Sequence, residues 1–336
     1  MRAYVLTGYG GPASMQLRDI EAPVPGRGEV LIRVHAAGLN PLDFKTREGK
    51  LKLIRRYPLP IAGGNELSGV IESLGPGATR FQPGDRVFTR VDKARLGAFA
   101  EVATVEESLV AKMPEGLDFE TAAAVPLAAL TALQALRDEL RLSPGQHVFI
   151  SAGAGGVGTY AIQIAKWLGA NVTTTASPKG EALVKRLGAD RVVDYTKEKF
   201  EEVLRDYDGA FDLVGGETLE NTFRIVKPGA TVVSVAGMPE PTTARKDLQA
   251  GPILAALFWF ASRRLRKAAS RHGARYRYLF MHPSGTELTE LASLIDQKKL
   301  EPIVDKVFSF DEIGEAFAYL EAGHAKGKIV IRLHGG

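Results

Sequence analysis

Six residues near the middle of the chain, Gly153-Ala154-Gly155-Gly156-Val157-Gly158, have the composition and spacing of a loop that wraps a phosphate. Glycines at 153, 155 and 158 complete a G-x-G-x-x-G pattern, in which the backbone turns tightly and approaches a pyrophosphate. The anion then rests on the positive end of the following helix. Glycine is common enough that the pattern alone says little, but its surroundings are the required ones. The apolar run His147-Val148-Phe149-Ile150 reads as a strand just before it, a helix is predicted from about Val157, and a second strand follows at Val172-Thr173-Thr174-Thr175. The pattern therefore predicts a dinucleotide site. The end of the second strand selects between the two nicotinamide cofactors. A site for NAD carries an acidic side chain there for the ribose hydroxyls, whereas this chain reads Thr175-Ala176-Ser177-Pro178-Lys179. Ser177 can donate to a 2′-phosphate and Lys179 supplies a cation, with no carboxylate beside them to repel it. This predicts NADPH. The other reading of Lys179 is a solvated residue in the first turn of the next helix.

Other chemistries lack their residues. There is no cysteine in the sequence, which removes disulfides, thiolate nucleophiles and cysteine-bound zinc. His35, His147, His272, His282, His324 and His334 show no metal-ligand spacing, so no metal is predicted. No Ser-His-Asp set or carboxylate pair can be argued. A formal charge of +4 is too modest to indicate nucleic acid. No signal-peptide pattern follows Met1, and the apolar run from Ile253 to Ala261 falls short of the roughly 20 residues that span a bilayer. A soluble, cytoplasmic protein is expected.

The elements that must position these residues fall into two regimes. Up to about residue 120, short β-rich runs (3–6, 30–34, 67–74, 86–88 and 99–105) are separated by Gly and Pro, as in an all-β unit. A long helix is predicted from Phe119 to Leu140. Strands at 147–150, 172–175, 191–193, 211–214 and 231–235 then alternate with helices near 157–168, 179–187, 198–206 and 218–227. That alternation gives a parallel, doubly wound Rossmann-type sheet. A helix (287–298), a strand (304–310), a helix (311–321) and a closing strand (328–333) complete the prediction.

The order of motifs resembles the zinc-independent, quinone-oxidoreductase branch of the medium-chain dehydrogenase/reductase superfamily over nearly the whole chain. The carriers are Ala37-Gly38-Leu39-Asn40-Pro41-Leu42-Asp43, Asn65-Glu66-Leu67-Ser68-Gly69, Pro83-Gly84-Asp85-Arg86-Val87, Pro126 to Ala132, the glycine loop, Leu187-Gly188-Ala189-Asp190 and Gly323-His324-Ala325-Lys326-Gly327-Lys328. Within that branch the chain is similar to alkenal/enone reductases and to reticulon-interacting oxidoreductase-like members. The resemblance implies an α/β protein: a GroES-like β-rich catalytic domain from residues 1–122 and 303–336, with a Rossmann NADP-binding domain, 123–302, inserted between. It implies an active site between the two. It also implies that Tyr195 joins Ser177 and Lys179 at the adenosine phosphate, and that Val214, Val235, Ala236, Leu279, Phe280, Met281, His324, Ala325 and Lys326 line the rest of the cofactor.

In zinc-dependent members of the superfamily a Cys, a His and an acidic residue hold the metal. Here Asn40 replaces the Cys, and Asn65 and Glu66 stand near the His position. Without zinc, the Lewis-acid route to alcohol oxidation is missing, which directs the reading to hydride delivery onto an already electrophilic acceptor. The resemblance makes Lys45 the catalytic candidate, an ammonium that would stabilise a developing enolate; the alternative is a solvated lysine beside Arg47 and Lys50. Asn40 is expected to hydrogen-bond the ribose or the substrate, and Asp43 to be a turn residue. The expected activity is NADPH-dependent reduction of a lipophilic quinone or α,β-unsaturated carbonyl. An enoyl-thioester reductase and a cofactor-binding regulatory protein are the alternatives, and a homodimer is a further expectation.

One basic segment stands apart. No Asp or Glu occurs from Leu248 to Thr286, yet Arg263, Arg264, Arg266, Lys267, Arg271, Arg275 and Arg277 all lie there, after the apolar run 253–261. Residues 253–277 read either as an interfacial stretch on an anionic membrane or as an amphipathic helix covering the cleft or a subunit interface.

Overall fold

The short Gly/Pro-punctuated runs of the N-terminal part do become strands. In the computed structural model, which describes residues 1–52 and 54–334, they are β1 (Arg2–Leu6), β2 (Met15–Asp19), β3 (Glu29–Leu39), β4 (Ile61–Ala62), β5 (Glu66–Leu74), β6 (Arg86–Arg90), β7 (Val102–Glu106) and β8 (Val110–Lys112). Helix α1 (Pro41–Arg47) follows β3. Alternate residues point inward: Val30, Ile32 and Val34 of β3 are fully buried against Leu67, Ile71, Val87 and Val105.

The helix expected from Phe119 to Leu140 is broken. α2 (Phe119–Ala123) is capped by Ala124, α3 (Pro126–Leu133) starts afresh at Pro126, and a π-helical turn (Gln134–Glu139) ends the stretch. Proline has no N–H to continue a helix but fits the first position of a new one. Then follow β9 (His147–Ile150), α4 (Gly156–Trp167), β10 (Asn171–Ala176), α5 (Pro178–Arg186), β11 (Arg191–Asp194), α6 (Phe200–Val203), β12 (Tyr207–Asp212), α7 (Gly216–Thr222), β13 (Val226–Ser234), α8 (Pro252–Ala261), α9 (Arg263–Arg271) and β14 (Arg275–Tyr278). β9 to β14 form one parallel sheet in the order β11-β10-β9-β12-β13-β14. The order runs outward in both directions from β9, so the crevice at its carboxyl end is a topological switch point, the place where open α/β sheets bind ligands. Val148, Phe149 and Ile150 are fully buried, as expected for a strand covered on both faces.

Two helices came out shorter than expected, Phe200–Val203 for 198–206 and Gly216–Thr222 for 218–227, while β13 begins at Val226. The strand expected at 211–214 runs from Tyr207 to Asp212, which leaves Val214 beyond its end. The sixth strand, β14, was not expected, because its central residue Arg277 has no apolar signature.

After β14 come α10 (Gly285–Asp296), β15 (Val304–Ser309), α11 (Ile313–Glu321) and β16 (Lys328–Arg332). They return the chain to the first sheet, ordered β15-β16-β3-β5-β6-β8, with β7 also paired to β3. The eleven-residue β3 is its spine: β16 joins it at Ala36–Leu39 and β7 at Glu29–Arg33. The chain forms two units, Met1–Leu130 with the segment from Pro283 on, and Thr131–His282. Residues 283–302, placed with the parallel sheet by the sequence, therefore lie with the first unit. The reason is local. α10 packs so closely on β8 that a Cβ at Gly285 would stand 2.5 Å from the carbonyl oxygens of Ser108 and Val110. Among the described residues no helix is long and apolar enough to cross a membrane.

Candidate active site

The glycine loop leaves the buried end of β9 through Ala152, whose φ of 52° turns the chain sharply. β10 holds the turn. The Ala152 N–H donates to Thr175 Oγ1 (2.9 Å) and the Gly153 N–H to the Thr175 carbonyl (3.1 Å). A Cβ at Gly153 would lie 2.2 Å from Thr174 Oγ1, and one at Gly158 2.4 Å from the Ala152 carbonyl oxygen. Both glycines are therefore fixed by close approach. Gly155 is the N-cap of α4 and spends its own N–H on the Ala152 carbonyl (3.0 Å). Gly156 and Val157 open the helix, whose first turn has no side-chain cap and no acidic residue. Unpaired N–H groups at the positive end of a helix fit an anion, so this cradle fits a dinucleotide pyrophosphate. Ala154 is half-buried at the lip, where α5 comes close: a Cβ at Gly180 would stand 2.9 Å from the Ala154 Cβ.

At the end of β10, Ser177 is the N-cap of α5, yet its hydroxyl makes no cap hydrogen bond. Lys179 is exposed, and among the described residues it has no ion pair. Tyr195 is 61% exposed in the turn after β11. The sequence reading overlooked Asp194, which the register places beside Ala176. Its carboxylate is turned away, accepting from Thr196 N–H (3.0 Å) and Thr196 Oγ1 (2.7 Å) and pairing with Lys197 (3.2 Å).

The remaining second-unit candidates are held by a buried hub that was also missed. Asp212, the last residue of β12, is fully buried and accepts from Ser234 Oγ (2.7 Å), Ser151 Oγ (3.3 Å) and the N–H groups of Val214 (3.2 Å) and Gly215 (3.1 Å). Ser151 Oγ in turn accepts from Leu213 N–H (2.8 Å), and Ser234 Oγ from Ala236 N–H (3.1 Å) and Gly237 N–H (2.9 Å). Burial raises the Asp212 pKa above the usual carboxylate value, against the pull of these donors. One carboxylate thus ties together the carboxyl ends of three adjacent strands, β9, β12 and β13, and shapes the loops carrying Val214, Val235 and Ala236. The segment after β14 is tied to the same edge. Leu279 N–H donates to the Ser234 carbonyl (2.9 Å), and Phe280 N–H to Asp247 Oδ2 (2.9 Å). Met281 lies between Phe280 and His282, whose N–H donates to Gln134 Oε1 (3.0 Å). Arg277 is buried with Glu139 (2.9 Å), Glu240 (3.3 Å) and Asp247 (2.5 Å). Of the two readings of the basic segment, Arg277 therefore fits the one without a membrane: it is the centre of a structural ion cluster.

The first unit gathers the others around α1. Lys45 is half-buried, and among the described residues its ammonium has neither a hydrogen bond nor an ion pair. Burial, then Lys50, lowers its pKa below the ordinary lysine value. Glu48 is already paired with Lys50 (2.7 Å). Asn40 differs from its expected role. It is buried, its Nδ2 donates to Glu66 Oε1 (2.7 Å), and its Oδ1 accepts from Lys328 Nζ. Glu66, fully buried, also accepts from Lys328 Nζ (2.7 Å) and from Leu127 N–H (2.6 Å). Asp43 is no exposed turn residue. It accepts from the Asn40 N–H (2.8 Å) and Asn65 Nδ2 (2.7 Å), and burial pushes its carboxyl up to about 6. The other end of α1 is held by Arg47, paired with Glu321 of α11 (2.9 Å). His324, Ala325 and Lys326 form the connection from α11 to β16, with His324 exposed and Ala325 and Lys326 half-buried. They therefore lie between two anchors of α1, the Glu321 pair and the Lys328 network.

Comparison with known proteins bears on this arrangement. Residues 26–115 match the alcohol dehydrogenase GroES-like domain and residues 187–331 the zinc-binding dehydrogenase family. The zebrafish (Danio rerio) protein named NAD(P)H oxidoreductase RTN4IP1, mitochondrial, is 37% identical over 91% of this chain and 84% of its own length. The Arabidopsis thaliana protein named NADPH-dependent alkenal/one oxidoreductase, chloroplastic, is 34% identical over 98% of this chain and 79% of its own. Among solved structures, the Coxiella burnetii quinone oxidoreductase is similar with a TM-score of 0.86 and 32% identity, covering 99% of each chain.

The zinc in the second family's description finds no fitting donors here. At the positions read as displaced ligands, the Glu66 carboxylate is already held by an ammonium, an amide and a backbone N–H, and a divalent ion there would meet the Lys328 charge. Among the described residues no group of three His, Cys, Asp or Glu side chains could hold a metal ion. Fold, glycine cradle and relatives agree: the chain belongs to the quinone-oxidoreductase branch of the medium-chain dehydrogenase/reductase superfamily, and is an oxidoreductase.

Proposed function

We propose that this oxidoreductase uses NADPH to reduce a lipophilic quinone or an α,β-unsaturated carbonyl. The observation that carries the cofactor choice is the end of β10. There an uncommitted Ser177 hydroxyl and a Lys179 with no ion pair among the described residues flank the first turn of α5, and the neighbouring carboxylates are engaged, Asp194 with Thr196 and Lys197 and Glu181 with Lys185 (2.6 Å). A 2′-phosphate would meet two donors, with both neighbouring carboxylates already engaged. Gly156 and Val157 hold the pyrophosphate, Tyr195 borders the phosphate, and the loops at Val214, Val235–Ala236 and Leu279–Met281 receive the rest. When bound, NADPH supplies the hydride.

The chain's own contribution is orientation and charge. Lys45 holds an ammonium with no internal partner, which polarises the acceptor carbonyl and stabilises the enolate that forms as the hydride arrives. Burial keeps that charge poorly solvated, so it acts at short range in a low dielectric. Asn40, bound to Glu66 and Lys328, sets the start of α1 and so the position of Lys45. His324, Ala325 and Lys326 are assigned to the cofactor. The relatives named for alkenal/one and quinone reduction support this acceptor class.

The test is NADPH oxidation against a panel of quinones, enals, enones and enoyl thioesters, repeated with NADH. Lys179→Ala is expected to raise the KM for NADPH by roughly 10- to 100-fold, the worth of one charged hydrogen bond, and to leave the KM for NADH unchanged. Equal losses for both cofactors would contradict the phosphate assignment.

A further inference from the structure

Helix α8 reads Pro252-Ile253-Leu254-Ala255-Ala256-Leu257-Phe258-Trp259-Phe260-Ala261, with no charged residue in it. A surface helix turns its apolar stripe to the core and a polar face to water. This one is apolar on both sides. Ala255 and Phe258 are buried on one face, while Ile253 (79% exposed), Leu257 (54%) and Phe260 (68%) lie on the opposite one and Trp259 (46%) at its flank. Four of the ten exposed large apolar residues among those described belong to this single helix, so the patch is a concentration and not ordinary scatter.

The next helix supplies the opposite chemistry. α9 packs Leu265, Ala268 and Ala269 against the core of the second unit and leaves Arg263, Arg264, Lys267 and Arg271 exposed. Arg264 pairs with Glu220 (3.0 Å), whereas Arg263, Lys267 and Arg271 have no ion pair among the described residues. No acidic residue occurs from 248 to 286 to neutralise them. The two helices form one fixed body. The buried Ser262 donates to the Phe258 carbonyl (2.6 Å) and accepts from Arg266 Nε (3.1 Å). Arg266 also donates to the Trp259 carbonyl (2.8 Å) and stacks over the Trp259 ring at 5.1 Å.

We propose that the α8–α9 pair is a docking surface for an anionic lipid bilayer, with the outer face of α8 in the acyl boundary and α9 among the headgroups. An apolar face bordered by unpaired cations matches that surface in both hydrophobicity and charge. Trp259 sits at the border between the two, where aromatic rings favour the membrane interface. At ten residues α8 is about 15 Å long, half the hydrocarbon thickness, so it lies in the plane and does not span. A second copy of the chain fits less well, since a two-fold contact would bring the same cations against each other. Arg275 and Arg277, on β14, take no part. The proposal is independent of the acceptor, because it concerns binding and not turnover.

The experiment is flotation of the full chain with vesicles of phosphatidylcholine alone or mixed with phosphatidylglycerol, at low and high ionic strength. Capture by the mixed vesicles at low salt, weakened by high salt and absent with phosphatidylcholine alone, is expected. Each of Arg263→Gln, Lys267→Gln and Arg271→Gln should lower the partition coefficient roughly fivefold, and the three together on the order of a hundredfold. Ile253→Ser with Phe260→Ser should also abolish capture; all five positions are exposed, so folding is spared. In a Trp167→Phe background Trp259 is the only tryptophan left, and its emission should move to the blue on the mixed vesicles. No capture at low salt, or capture that ignores these substitutions, overturns the proposal. So does conversion of a dimer to a monomer, without lipid, by Ile253→Ser with Phe260→Ser, which would make the face an interface between copies.

Discussion

Lys45 and Asp43 share a helix and face opposite demands from burial. Burial lowers the pKa of the lysine, so its ammonium is lost at a lower pH than that of an exposed lysine. If that ammonium stabilises the enolate, kcat falls as pH rises through the lowered value. Lys45→Ala should cost on the order of 10²–10³ in kcat, as loss of one preorganised donor does elsewhere, and should abolish the basic limb of the pH profile. A limb that persists in the variant belongs to another group. Asp43 works through stability. Its carboxyl is raised from 3.8 to about 6, so the folded state favours the protonated form. Its contribution is whole below about pH 4 and is lost as pH rises through about 6, a change of about 3 kcal/mol. Asp43→Asn, with the Asn65 amide turned to match, should therefore unfold at higher urea than the parent at pH 7, and at a similar concentration near pH 4; the two urea midpoints measure this. Lys45, Ser177 and Lys179 were singled out as candidates because motifs surround them. Asp212, Asn65 and Lys328 were not, since their partners lie in distant segments and a buried carboxylate looks like any other in sequence.

At the level of elements, the glycine loop and its flanking strands were readable because β9 and β10 are continuous apolar or β-branched runs and α4 has the glycine spacing. The long helix at 119–140 was misread because its apolar periodicity crosses Pro126 unchanged, and only the missing N–H breaks it. β14 was invisible for a different reason. Its inward residue is Arg277, which packs by charge with Glu139, Glu240 and Asp247. That cluster joins β14, the π-helical turn and the stretch before α8, and through Asp247 it fixes Phe280. Arg277→Met should leave the buried Glu240 and half-buried Asp247 without a cation, Glu139 keeping Lys246 (2.6 Å), and cost about 3–5 kcal/mol. Glu240→Gln in the same chain should return part of it. Urea titration of the three proteins checks the order, and an Arg277→Met chain as stable as its parent would show that water satisfies the cluster.

For the whole molecule, composition and motif order foretold two units of different class, and the structure has them. What the sequence could not show is how far the first unit depends on its last segment. β16 lies between β15 and β3, pairing Ile329 with Leu39 and Val330 with Gly38. It also brings Lys328 to Glu66. A chain ending at Gly327 loses an interior strand and leaves a fully buried carboxylate without its cation. It should accumulate as insoluble protein, which the soluble fraction measured beside the full chain checks.

That same interleaving imposes an order in time. Synthesis delivers the residues of the parallel sheet, Thr131–His282, as one uninterrupted stretch, and such a unit can close while the ribosome still holds the rest. The antiparallel unit cannot. Its spine β3 emerges early and waits, with Ala36–Leu39 unpaired along one edge, until β16 has been made. During that interval the nascent chain exposes an open apolar strand, and a chaperone or slow elongation ahead of β16 would act on that strand.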